Sequence, residues 1–256
     1  MSMLRHFPDK TKIIFFDLEY FVPQESRERK APGGMKFSPL LPGHKILGGT
    51  FQTYFPMLDQ LQSAKQIWEW RAGTEREVLQ QMLDLLKTEW RELEKKPDLG
   101  SLMLCGIGIS HSDVPALLAK MVAHQLDSPA RIHDLLCGCR QIDLTTATYC
   151  QFSFNKAYFS YPKSKAHLYH KYLGTKSLES GTAVWQHFES GNYAAIEARA
   201  LSEVWDSVAI YKQMVETKKQ DDRRLARLKK LEKLLPPLPV ESRDPPPEND
   251  SAPEAT

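Results

Sequence analysis

The chain has 256 residues, of which 41% are hydrophobic and 26% charged, so one large domain or two small ones can bury a sizeable core. A formal net charge of only +2 excludes attraction to nucleic acid through bulk charge and leaves that task to local patches. MSMLRHFPDK at the amino terminus lacks the apolar core of a secretory signal, no apolar run reaches membrane-spanning length, and four cysteines (Cys105, Cys137, Cys139, Cys150) do not form a disulfide framework, so a cytoplasmic protein with free thiols is expected.

The first element is Lys12–Tyr20. Ile13, Ile14, Phe15 and Phe16 form a short apolar run that reads as a buried central strand, and it leads into Asp17 and Glu19. Residues two apart in a strand share a face, so these two carboxylates project together. Two adjacent buried acids repel and lose hydration unless a positive charge sits beside them. A hard divalent cation, magnesium or manganese, meets that need; the alternative is a strand that ends at Phe16 with both acids in water.

Pro23 to Gly43 is rich in Pro, Gly and charge and reads as a long loop, whose Arg27, Arg29 and Lys30 either flank a site at the strand end or lie on a surface excursion. Strands are expected at His44–Phe55, with the Gly48-Gly49 pair marking a weak point or bulge, and at Lys65–Trp70. Thr74 and Glu77 form a capping box ahead of a helix with an apolar stripe of Leu79, Met82, Leu83, Leu86, Trp90 and Leu93. Ser101–Gly106 reads as another buried strand. It runs into a helix bearing Leu117, Leu118, Met121 and Val122, with Asp113 at the junction, either as a helix cap or as a functional acid. Arg140-Gln-Ile-Asp143-Leu-Thr reads as a last short strand.

From Cys150 to Lys176 aromatic residues alternate with Lys156, Lys163, Lys165, Lys171 and Lys176. Bases stack on aromatic faces and lysines pair with phosphates, so this texture suits single-stranded nucleic acid, although many of the rings belong to the core. Tyr193 to about Val215 forms a long helix with Ile196, Ala200, Val204, Val208, Tyr211 and Val215 as its stripe, and Asp206 lies off that stripe. A basic helical extension over 216–235 follows, able to contact phosphate, a protein partner or solvent. Residues 236–256 form a Pro-rich acidic tail expected to be disordered. The order of elements predicts an α/β fold, a mixed β-sheet flanked by helices.

Three stretches, FFDLE, CGIGISHSDVPALLAKM and ESGNYAAIEARALSEVWDSVAIYKQM, together resemble the three motifs of DEDD-type 3′–5′ exonucleases. They are similar in particular to predicted bacterial exonucleases related to the proofreading domain of family B DNA polymerases. QIDLTT and LGTKSLESGTAVWQHFESGNYAAIE fit the segments between the motifs, and the resemblance covers roughly residues 10–215. It implies a ribonuclease-H-like sheet and a metal-dependent exonuclease acting on single-stranded or frayed DNA ends, or on RNA. Asp17, Glu19, Asp113 and Asp206 are then the catalytic metal ligands of two magnesium or manganese ions, with Asp17 bridging ions about 4 Å apart. Glu19 and Asp206 would complete the ion that holds the attacking water, and Asp113 would support the other through water. Tyr20, His111, Lys163, Lys165 and Lys176 are the expected nucleic-acid contacts.

The pattern also departs from the family. The tyrosine or histidine that usually precedes the third-motif aspartate is replaced by Ser202 and Leu201, and the residue after the first-motif glutamate is Tyr20 rather than threonine. The ligand set is complete while the group that orients the water is missing. A second reading is therefore an exonuclease-like module that holds nucleic acid, or a protein partner, without cutting.

Overall fold

The structure, a computed structural model, describes residues 11–30, 34–94, 101–147, 164–174 and 180–232. In chain order the strands and helices are β1 (Thr11–Phe21), β2 (Lys45–Phe55), β3 (Gln60–Leu61), β4 (Lys65–Trp68), α1 (Glu69–Ala72), α2 (Glu75–Glu94), β5 (Ser101–Gly106), α3 (Asp113–Ala123), α4 (Pro129–Gly138), β6 (Arg140–Asp143), α5 (Leu144–Ala147), α6 (Lys165–Leu173), α7 (Ala183–Glu189) and α8 (Tyr193–Glu232). The strands make one mixed sheet in the order β3-β2-β1-β5-β6, with β4 also paired to β2. β1 runs antiparallel to β2 and parallel to β5, and β5 is parallel to β6.

β1 is apolar on both faces because helices cover both. Ile14, Phe16 and Leu18 belong to a core cluster with Val78, Leu79, Met82 and Leu83 of α2 and Leu117 and Met121 of α3. Ile13 and Phe15 belong to the opposite cluster, with Leu168 and Tyr169 of α6 and Val204 and Val208 of α8. A strand buried on both faces reads as a continuous run rather than an alternation. Asp17 and Glu19 continue the odd-numbered face and so turn toward α6 and α8.

The capping box at the start of α2 is formed: Thr74 Oγ1 accepts the Glu77 N–H at 3.3 Å and donates to Glu77 Oε2 at 2.9 Å. Ile196, Ala200, Val204 and Val208 of α8 are buried at four-residue spacing, as its stripe predicts. Two strands stop earlier than their sequence suggests. The Lys65 strand ends at Trp68 and turns into α1, and β6 ends at Asp143, whose carboxylate accepts the Thr145 N–H at 2.9 Å and starts α5. Helices α4, α6 and α7 have stripes too short to stand out in sequence.

The chain divides into two compact units, Met1–Met214 and Val215–Thr256. The described part of the second is helical and leaves Leu225, Leu228 and Leu231 exposed. The aromatic and lysine-rich stretch 148–163, with Lys163, Lys176 and the acidic tail, lies outside the described residues. Among the described residues no helix is long and apolar enough to cross a membrane.

Candidate active site

Asp17 and Glu19 sit near the end of β1, where its neighbour β2 is irregular. The register runs Glu19 opposite Gly48 and then Tyr20 opposite Ile46, leaving Leu47 as a bulge. The two glycines of β2 permit a close approach. A Cβ on Gly49 would fall 2.6 Å from the Asp17 carbonyl oxygen, and one on Gly48 would fall 2.2 Å from the Ile67 oxygen. Gly48 also has φ +151°, where a side chain is strained.

On the other side of β1, pairing with β5 ends at Phe15 and Cys105. The chain leaves the sheet through Gly106–Ser112, and Ser112 occupies the N-cap of α3, so Asp113 is the first helical residue rather than the cap. Asp113 Oδ1 accepts the Leu18 N–H at 3.3 Å and the Tyr20 hydroxyl at 3.0 Å, while Oδ2 accepts the Ser112 hydroxyl. The connecting loop is anchored from β6: Asp143 accepts the N–H groups of Gly108 and Ser110, each at 3.0 Å, and the Ser110 hydroxyl.

Two helices supply the facing wall. Lys165 opens α6, behind the Ser164 cap, and Arg199 and Glu203 lie one turn apart on α8. Arg199 pairs with Glu19 through Nη1 and with Glu203 Oε1 through Nη2 at 2.7 Å, and Lys165 pairs with Glu203 Oε2. These groups surround a cavity of about 340 Å³ lined by Asp17, Glu19, Asp113, Lys165, Arg199 and Glu203. Lys36, Phe37, Ser180, Thr182 and Trp185 also line it.

The charges in this cavity are out of balance. Burial, reinforced by the charges of Glu203, Glu19 and Asp113, pushes Asp17 well above the usual carboxylate range. Burial likewise lifts Glu19 to about 8, against the pull of Arg199, and raises Asp113 against the hydrogen bonds it accepts, those of Ser112, Tyr20 and Leu18 among them. Burial works to lower Lys165 and Arg199, but the surrounding carboxylates outweigh it and hold both above their ordinary values. Among the described residues the Asp17 carboxylate has no hydrogen-bond donor, and it faces the cavity.

Of the residues singled out in sequence, Asp17, Glu19, Tyr20, Asp113 and Lys165 line this one cavity. Asp206 does not; it lies three positions beyond Glu203 on α8. Burial, then the charges of Glu203 and Asp206 and a hydrogen bond with Asp206, push the Tyr169 hydroxyl far up. Ser202 and Leu201 do not line the cavity either. His111 is exposed, its N–H bonded to the Gly108 oxygen within the turn. Lys163 and Lys176 lie outside the described residues. Arg199 and Glu203 were missed. Their signal was the four-residue spacing of opposite charges beside the buried stripe of α8, which reads equally as a surface pair.

Oxygen donors of this kind suit a hard divalent ion, and the undonated Asp17 is the group that fits one. Among the described residues no three His, Cys, Asp or Glu side chains are drawn together into a ready ligand cage. Arg199 and Lys165 supply the counter-charge instead. Cys137 is exposed and Cys139 buried, with no ligand set around them among the described residues. The sequence matches no protein-family model, and comparison with curated proteins gives no match.

Proposed function

We propose that the Met1–Met214 unit is a ribonuclease-H-like, metal-dependent 3′–5′ exonuclease that hydrolyses the terminal phosphodiester of single-stranded or frayed nucleic acid, with DNA as the first substrate to test. The observation that carries the reading is Asp17, a carboxylate at the end of the central strand, facing a cavity without a donor and flanked by Glu19 and Asp113. Asp17, Glu19 and Asp113 would hold magnesium or manganese, with Glu203 or Asp206 of α8 as the fourth carboxylate. The bound ions would supply charge neutralisation and an activated water.

The chain's own residues do the rest. Tyr20 and Ser112 fix both oxygens of Asp113, and Arg199 fixes Glu19. Lys36 and Lys165, with Arg199, bring positive charge to a cavity that also holds four carboxylates, where a phosphate must approach. A volume of about 340 Å³ suits one terminal nucleotide rather than a duplex.

The second reading, an exonuclease-like module that binds without cutting, is favoured by one observation. Glu19 and Glu203 are already neutralised by Arg199 and Lys165. Purified protein with 3′-labelled and 5′-labelled single strands, in magnesium, manganese or chelator, separates the two. Exonuclease action gives stepwise loss from the 3′ end that needs metal and disappears in Asp17→Asn. Tight binding without trimming under any metal selects the second reading. Glu203→Gln and Asp206→Asn in the same assay identify the fourth carboxylate.

A further inference from the structure

Four carboxylates face two cations in the cavity core, and the two cations differ. Arg199 is held by two carboxylates: it grips Glu19 and Glu203, its side chain is 12% exposed, and it projects from the second turn of the long α8. Among the described residues Lys165 makes one ion pair; its side chain is 33% exposed, and it sits at the first residue of the nine-residue α6 on a flexible four-carbon arm. A lysine ammonium is also a compact, strongly hydrated point charge, closer in kind to a hard metal ion than a guanidinium is. Arg199 is anchored by two carboxylates, whereas Lys165 is held by one.

We propose that Lys165 is the exchangeable counter-cation of this cavity: a divalent ion enters at Asp17 by displacing the Lys165 ammonium from the carboxylates, and Lys165 therefore sets the cation affinity of the site. The inference rests on the reading of the cavity as a divalent-ion site. Its physical basis is charge. With Lys165 in place, an incoming dication meets a like charge at close range in a poorly screened cavity, and its binding is weakened by the work of moving that charge away. The released ammonium stays tethered at the cavity wall, where a phosphate would arrive. Lys165 thus exchanges one anionic partner, Glu203, for another.

The test is calorimetric titration of Mn²⁺ alone into the full chain, with wild type, Lys165→Met and Lys165→Arg at one near-neutral pH. Removing the competing charge tightens Mn²⁺ binding in Lys165→Met by roughly 10-fold or more, the scale of a close charge pair. Lys165→Arg, which keeps the charge, gives no such gain. In chelator Lys165→Met melts below wild type, and added Mn²⁺ raises its melting temperature more than it raises that of wild type. If Lys165→Met fails to fold, Lys165→Gln, which keeps a donor for Glu203, carries the comparison. Mn²⁺ binding that is unchanged or weaker in the neutral variant, with wild type binding normally, overturns this inference and leaves the site reading intact. No Mn²⁺ binding by any form overturns both.

Discussion

The Tyr20 hydroxyl donates to Asp113 Oδ1 at 3.0 Å, joining residues 93 positions apart, and the same oxygen accepts the Leu18 N–H at 3.3 Å. β5 has by then left β1, so the Leu18 N–H lies past the last β1–β5 pair and Asp113 completes its bonding. A residue proposed to support a metal is thereby also a structural clamp on the strand that carries Asp17. The two roles separate experimentally.

Asp113→Ala leaves the Leu18 N–H and the Tyr20 hydroxyl without their shared acceptor and is expected to destabilise the chain by about 2–3 kcal/mol. Asp113→Asn keeps a carbonyl oxygen for Leu18 and Tyr20 and should lose less than half of that. Urea unfolding of the two variants checks the order. Equal losses would show that Asp113 acts through its charge and not through these bonds.

Asp17→Asn should behave in the opposite sense. The substitution removes a carboxylate that burial already disfavours, so the melting temperature in chelator stays level or rises. The 3′-trimming rate should fall ~100-fold or more, the usual cost of losing a group that stabilises charge in a transition state. Thermal melts paired with the labelled-strand assay test both halves. A clear fall in stability would mean that Asp17 is engaged in holding the fold.

Gly49→Ala places a methyl group 2.6 Å from the Asp17 carbonyl oxygen and 2.7 Å from Leu18 Cδ2. The backbone of β1 cannot give way without disturbing the strand, so a loss of about 2 kcal/mol is expected, as for overpacked core sites. Denaturant unfolding measures it. A neutral result would mean that β2 moves away from β1 at no cost.

Asp143 gives a pH prediction. Burial acts to raise its pKa, but hydrogen bonds from the side chains and backbone N–H groups of Ser110 and Thr145 prevail and hold it below the ordinary carboxylate value of 3.8. A carboxylate with a depressed folded pKa contributes stability that is present above its unfolded value and lost as pH falls through its folded value. The contribution should therefore be complete above about pH 4 and disappear below it. Asp143→Asn lowers stability at neutral pH and shallows the acid limb of the unfolding profile. An acid limb unchanged from wild type would remove Asp143 as its source.

The sequence alone determined the local features of this protein, because local features follow from spacing. The buried β1 with Asp17 and Glu19 on one face, the capping box at Thr74 and the stripe of α8 each depend on periods of 2 or 3.6 residues that a reader can count. The glycine pair in β2 announced its irregularity, and the structure supplied the cause: close approach to Asp17 and Ile67. What tertiary structure decided is which polar groups meet. Arg199 reaches Glu19 across 180 positions and Lys165 reaches Glu203 across 38, and no spacing rule links either pair. On α8, Asp206 and Glu203 are three residues apart and so nearly share a face. The rotation of the helix, fixed by packing Val204 and Val208 under the sheet, brings Glu203 into the cavity and leaves Asp206 beside Tyr169. A sequence can count acids along a helix, but only packing sets the angle at which they face the strand.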